Sequence, residues 1–269
     1  MTITRLHAHT VEKPWGRTDI PAHVATADGS RIGEVWFSAQ EKPALPLLVK
    51  YIFTSEKLSV QVHPNDAQAR ASGLSGGKSE CWYVLDAEPD ARLGIGLTRD
   101  LTPEELRAAA LDGSIEGLMD WKPVQPGSFY YIPAGTVHAI GGGVTLVEVQ
   151  QNNDVTYRLY DYGRPRELHL EEAMAVSVAT PYPDADRIVP VTAAERLVTG
   201  PDTPFILDMV QCAAGTAQQV EGKTLWFVPL AGTGTIDGES WRQGECWLIE
   251  GDATIAADMP MSAMLARLP

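Results

Sequence analysis

The sequence predicts a mainly β protein: two antiparallel β-sandwich or barrel domains carrying a few short helices. Short apolar or alternating runs recur along the chain with Gly, Pro, Asn and Asp between them, as in sheets closed by turns. Helical segments are few and are marked by their caps. A stretch rich in Pro, Asp and Thr, from about residue 181 to 202, reads as a crossing between a first domain (1–190) and a second (191–269).

Taken in order, "LLVKYIF", "KLSVQVH" and "ECWYVL" are the first strands, followed by "SFYYIP", "TVHAIG", "VTLVEVQ" and "VTYRLYDY". Between "KLSVQVH" and "ECWYVL", the segment "NDAQARASG" predicts a short helix begun by Asn65 or Asp66 and ended near Gly73. Pro64 and this helix stop the strand, so His63 belongs at its end. In "LTPEELRAAALDG", Thr102 is the N-cap, Pro103 the first helical residue, Glu105 completes a capping box and Gly113 is the stop, giving a helical element from about 102 to 120. "LHLEEAMAVSVA" is a further helix. Beyond the crossing, "FILDMVQ", "TLWFVPLAG", "GTIDG", "GECWLIEG" and "ATIAA" give a second set of short strands. No histidine follows His169, so the second domain is expected to hold no histidine-ligated metal.

Composition narrows the functional classes. The formal charge is −14 with no basic block, which argues against nucleic acid or an anionic membrane as partner. Cys81, Cys212 and Cys246 are odd in number and fall in no paired spacing, as for reduced thiols in a cytoplasmic protein. The amino terminus has no apolar core of signal-peptide length, and no segment approaches the roughly 18 apolar residues of a membrane span.

The residues that carry chemistry lie in the first domain. Alternation places Ser59, Gln61 and His63 on one strand face and Leu58, Val60 and Val62 on the other. "PGSFYYIPAGTVHAIGGG" fits G-x5-P-x-G-x2-H, with Gly127, Pro133, Gly135 and His138 in the fixed places. Proline and glycine make a tight turn there, and His138 follows just inside the next strand. This resembles the second motif of the cupin superfamily. The stretch around Gln61 and His63 then stands where many cupins have His-x-His, and Glu80 stands in place of their downstream Glu. Gln61, His63, Glu80 and His138 form a candidate metal site of two nitrogen and two oxygen donors, suited to zinc, iron or another first-row divalent ion. A divalent ion with these ligands would leave a centre of about +1, favourable to an oxyanion beside it. The literal His-x-His at His7 and His9 has no Glu at the matching distance and reads as surface or edge strand. His23, in a loop, and His169, at a helix start, read the same way.

Three cations accompany the site. Lys78 shares a strand face with Glu80, Arg158 alternates with Thr156 and Tyr160 on a polar face, and Lys50 lies inside "LLVKYIF". Cations among apolar strand residues are costly unless paired or functional.

In this order, "LSVQVHPND", "GKSECWYVL", "PAGTVHAIGGG" and "VEVQQNNDVTYRLYDYGR" are similar to the signatures of type I mannose-6-phosphate isomerases in a short bacterial-type form, over about residues 10 to 180. The resemblance implies two cupin-like domains, the second degenerate and without metal. It implies one zinc ion per chain held by Gln61, His63, Glu80 and His138, and interconversion of mannose 6-phosphate and fructose 6-phosphate. It also implies active-site roles for Arg158, Lys78 and Glu148, with Ser59 and Lys50 near the substrate. The large helical insert of the long forms is missing, and Pro14 before "WGR" replaces an acidic residue of some long members. The proton transfer between C1 and C2 needs a base, for which Lys78, Glu148 and water on the metal all remain open. The rival readings are an isomerase of another sugar or sugar phosphate, a cupin dioxygenase, and a non-catalytic sugar-binding cupin.

Overall fold

Side chains alternate across each strand, and in this protein both faces of most strands find something to bury them. The computed structural model describes residues 1–25, 29–39, 45–200, 202–222 and 224–269. A five-stranded sheet runs in the order Tyr157–Tyr160, Val60–Val62, His138–Ile140, Arg92–Leu97, Met119–Pro123. One of its faces packs against helices: Val60, Val62, Ala139 and Leu159 meet Leu106, Ala109 and Ala110 of Pro103–Asp112, Ile115 of Ile115–Leu118, and Ala173 and Val176 of Leu170–Val176. The other face looks onto a seven-stranded sheet ordered Arg187–Ile188, Ser128–Ile132, Glu80–Ala87, Val144–Gln151, Leu47–Phe53, Ile32–Ser38, His7–Arg17.

Between these two sheets, Ile52, Trp82, Val84, Leu93, Ile95 and Leu146 fill part of the space with apolar side chains. The rest is polar and holds the site. The back of the seven-stranded sheet, with Val49, Tyr51, Cys81, Tyr83, Val147 and Val149, packs on Leu207, Met209, Trp226, Val228 and Met264 of a six-stranded sheet. Each fully buried Val, Leu or Met among these contributes about 1.5–3 kcal/mol relative to exposure. A four-stranded sheet closes the far side of the six-stranded one through Phe227, Ile236, Trp241 and Ile255.

All assigned strand ladders are antiparallel, the mainly β architecture expected from the sequence. Strand pairing adds two features. Thr2–Arg5 joins the six-stranded sheet beside Trp247–Glu250, so the amino terminus pairs with the carboxy-terminal half. Around the expected crossing, Arg187–Ile188 pairs with Ser128–Ile132, and Glu195–Val198 pairs with Ile206–Cys212. Pro201, at the end of the expected crossing, lies outside the described residues.

Two of the helices start where their caps place them. Asn65 closes a capping box with Gln68 on Asp66–Ala71, and Thr102 closes one with Glu105 on Pro103–Asp112, which Gly113 ends in the left-handed conformation. The helical element expected to reach about 120 stops at Leu118, and Met119 opens a strand. Among the described residues no helix is long and apolar enough to cross a membrane.

Candidate metal centre

The site grows out of one turn and one strand register. Gly135 takes a left-handed conformation (φ 91°) in the turn before His138, where a Cβ would come within 2.9 Å of a Val178 methyl carbon. Its N–H donates to the His63 carbonyl at 2.8 Å. The motif glycine therefore ties the strand carrying His138 to the one carrying His63. Across the five-stranded sheet, Arg158, Gln61 and His138 lie directly opposite one another, so their side chains leave the same face. Facing them, Glu80 and Trp82 alternate with Cys81 and Tyr83 and point inward.

His63 Nε2 lies 3.6 Å from Glu80 Oε2, and His138 Nε2 lies 3.4 Å from Glu80 Oε1. All three donor atoms fall within 4.8 Å of one another, and the three residues are buried. A tetrahedral ion with bonds of about 2.1 Å has donor atoms about 3.4 Å apart, which the two Glu80–histidine distances match. His138 Nδ1 meets the Thr136 carbonyl at 2.8 Å, which places the ring proton there and leaves Nε2 as a lone-pair donor. Burial holds both imidazoles neutral: His138 is lowered to about 4 and His63 well below its ordinary value, with Lys78 adding to the latter shift. Burial and the neighbouring Glu148 push Glu80 upward, against the pull of Lys78 and Lys50. Among the described residues neither Glu80 oxygen accepts a well-directed hydrogen bond, and the charge nearest it is the Lys78 ammonium, 3.1 Å from Oε2. A fully buried carboxylate between two neutral imidazoles, with Oε1 facing His138, suits a metal cation beside the Lys78 ammonium.

The remaining candidates fall into contact with this group to different degrees. The Lys78 ammonium lies 3.1 Å from both His63 Nε2 and Glu80 Oε2. Gln61 turns its amide nitrogen toward His138 Nε2 at 3.3 Å, and its oxygen accepts the Ser59 hydroxyl at 3.2 Å. Ser59 thus reaches the site through Gln61. Lys50 and Glu148 face each other across neighbouring strands and pair at 3.1 Å, both nearly fully buried. Burial works against the Lys50 charge, but Glu148, Glu34 and Glu80 outweigh it and its pKa rises. For Glu148, burial is outweighed by Lys50, Lys78 and the Trp82 N–H, and its pKa falls. Arg158 stands beside Gln61, but its guanidinium donates to the Glu167 carbonyl at 2.7 Å and is not drawn into the group around Glu80. His7 and His9 are exposed on the edge strand of the seven-stranded sheet.

Three residues that the sequence reading did not single out extend this polar row. Trp82 donates its indole N–H to Glu148 Oε2 at 2.9 Å. Trp36 lies opposite Lys50, its ring centroid 4.7 Å from the ammonium, and its N–H donates to Glu34 Oε2 at 2.5 Å. In "ECWYVL" the two-residue step from Glu80 to Trp82 was a usable signal. Glu34 and Trp36 sit in a strand that the sequence reading did not pick out.

No protein-family model matches the chain. Mannose-6-phosphate isomerase ManA of Bacillus subtilis is 42% identical over 55% of this chain and 51% of its own length, so the chain spans about half of that relative. The mannose-6-phosphate isomerase of Streptococcus mutans is 32% identical over 82% of this chain and 76% of its own. The chain belongs to the mannose-6-phosphate isomerase family. The crystal structure of the mannose 6-phosphate isomerase from Bacillus subtilis superposes with a TM-score of 0.82 at 25% identity over all of both chains. A zinc-bound mannose 6-phosphate isomerase shares the fold with a TM-score of 0.71 at 15% identity. Within this family fold, His63, Glu80 and His138 form the candidate metal centre of the chain.

Proposed function

We propose that the chain is a zinc-dependent aldose–ketose isomerase interconverting mannose 6-phosphate and fructose 6-phosphate. The observation that carries the reading is the His63–Glu80–His138 donor set, buried and within 4.8 Å, beside the buried Lys50–Glu148 pair. It is supported by family membership and by the relatives named for this activity. Zinc is supported by the donor chemistry and by the zinc-bound structure of the same fold.

Gln61 is the fourth ligand in this reading. Turning its amide over exchanges oxygen and nitrogen, which brings the oxygen toward His138 and leaves the nitrogen to donate to the Ser59 hydroxyl. The metal, when bound, supplies positive charge beside the sugar oxygens and so favours the enediolate. Lys78 adds a cation next to the same oxygens. Ser59 and Lys50 hold sugar hydroxyls in place, and Arg158 stabilises the negative charge that develops along the C1–C2 edge. Lys78 and Glu148 are the side-chain candidates for the base that moves the proton between C1 and C2, and turnover of Lys78→Met and Glu148→Gln tests each. The chemistry stays within residues 1–190, while 191–269 serves as support, since the six-stranded sheet buries the back of the strands bearing Glu80 and Glu148. The three cysteines are buried free thiols, which supports a cytoplasmic setting.

The test is an isomerisation assay in both directions on mannose 6-phosphate and fructose 6-phosphate, with free mannose and fructose as controls. Turnover of the phosphorylated pair that a chelator abolishes is expected; turnover of the free sugars alone would overturn the substrate assignment.

A further inference from the structure

One buried side chain touches both halves of the site without lining it. Trp82 lies directly opposite Glu148 in the seven-stranded sheet, and none of its surface is exposed. Its N–H donates to Glu148 Oε2 at 2.9 Å, and its ring meets the His138 imidazole edge-on, with centroids 5.4 Å apart at 74°. The indole therefore spans the gap between the two sheets, from the buried carboxylate to a metal-centre histidine.

A glutamate carboxylate turns freely about its last bond unless both oxygens are held. Glu148 Oε1 faces the Lys50 ammonium at 3.1 Å, and among the described residues Oε2 accepts the indole N–H alone. Lys50 is a flexible point charge that tolerates a range of carboxylate orientations. The directional contact is the one from Trp82. A side chain serving only to fill the core could be any large apolar group, whereas a buried indole N–H needs a partner and fixes where that partner sits.

We propose that Trp82 is a positioning residue that sets the orientation of the Glu148 carboxylate relative to His138. The proposal rests on the isomerase reading for its catalytic consequence. Trp82 does not meet the sugar; it acts through Glu148.

Trp82→Phe keeps an aromatic ring against His138 and removes the donor. In metal-replete protein, kcat for mannose 6-phosphate is expected to fall about 10- to 100-fold, as for loss of one hydrogen bond to a charged group, with KM changed less than about 3-fold. Metal content per chain should stay at the wild-type level. Adding Glu148→Gln to Trp82→Phe should cost much less than adding it to the wild type, because both changes disable one unit. A readout independent of turnover is the indole N–H resonance of Trp82 in nitrogen-labelled protein, assigned by its loss in Trp82→Phe, or in Trp82→Tyr if the Phe variant does not fold. That resonance should move when Glu148→Gln is introduced. An unmoved resonance, a wild-type kcat in folded Trp82→Phe, or fully additive losses in the double variant would each overturn the proposal. If the wild-type chain fails to turn over mannose 6-phosphate while the resonance still moves, the isomerase reading falls and the Trp82–Glu148 unit stands.

Discussion

Replacing Lys50 by Met removes the cation from a buried ion pair and keeps roughly the same side-chain length. The Lys50 and Glu148 side chains are 5% and 4% exposed, so solvent screens little of their 3.1 Å contact. Losing one partner of such a pair commonly costs about 3–5 kcal/mol, because the other charge stays behind without compensation. Glu148 keeps the Trp82 N–H and can relieve itself by taking a proton, which favours the lower end of that range. At about 2–4 °C per kcal/mol for a chain of this size, Lys50→Met is expected to melt about 6–12 °C below the wild type. The double variant Lys50→Met/Glu148→Gln should regain most of that loss, since its amide oxygen still accepts the Trp82 N–H and no charge is stranded. Turnover should stay low in both. Calorimetric melts of metal-loaded protein paired with steady-state kinetics separate the two effects. A Lys50→Met variant melting within about 2 °C of the wild type would refute the reasoning, because it would mean that the pair is not buried in its charged form.

Arg158→Ala is expected to lower kcat about 100-fold with little change in KM, as for removal of a charged donor acting mainly in the transition state, and Arg158→Lys to recover part of it; a rise in KM alone would place Arg158 in ground-state binding. Thr102→Ala removes the side-chain acceptor of the Glu105 N–H on an exposed helix start, and should cost about 1 kcal/mol in a denaturant titration while kcat stays at the wild-type value; an unchanged midpoint would remove Thr102 as a stabilising cap.

Several of these residues are legible in the sequence because their signals are local. The turn of Pro133 and Gly135 before His138 demands a left-handed residue, and Thr102 with Glu105 announces a helix start. The alternation around Gln61 and His63 is explained by the two sides of the five-stranded sheet, with Val60 and Val62 against helices and the polar set facing the interior. What stayed hidden depends on distant pairing. "MSAMLAR" is rich in Ala, Met and Leu, which favour helices, yet Met261–Arg267 is a central strand between Thr224–Ala231 and Ile206–Cys212. Burial on both faces decides it. Thr2–Arg5 pairs with residues some 245 positions away, and no local pattern records that. In the site, Trp36 and Trp82 gain their roles only from the register that sets them opposite Lys50 and Glu148. The guanidinium of Arg158 follows the same rule in reverse: its strand position is readable, but its bond to the Glu167 carbonyl depends on a loop that returns to it.

The central claim is that one metal ion, held at His63, Glu80 and His138, enables the isomerisation. Titrating zinc into chelator-stripped protein, while recording mannose 6-phosphate turnover against bound metal, tests it most directly. Activity is expected to start near zero, rise in proportion to bound zinc and level off at one equivalent per chain, and His138→Ala should bind less metal and stay inactive across the titration. Full turnover by the stripped protein, or by His138→Ala, would contradict the account.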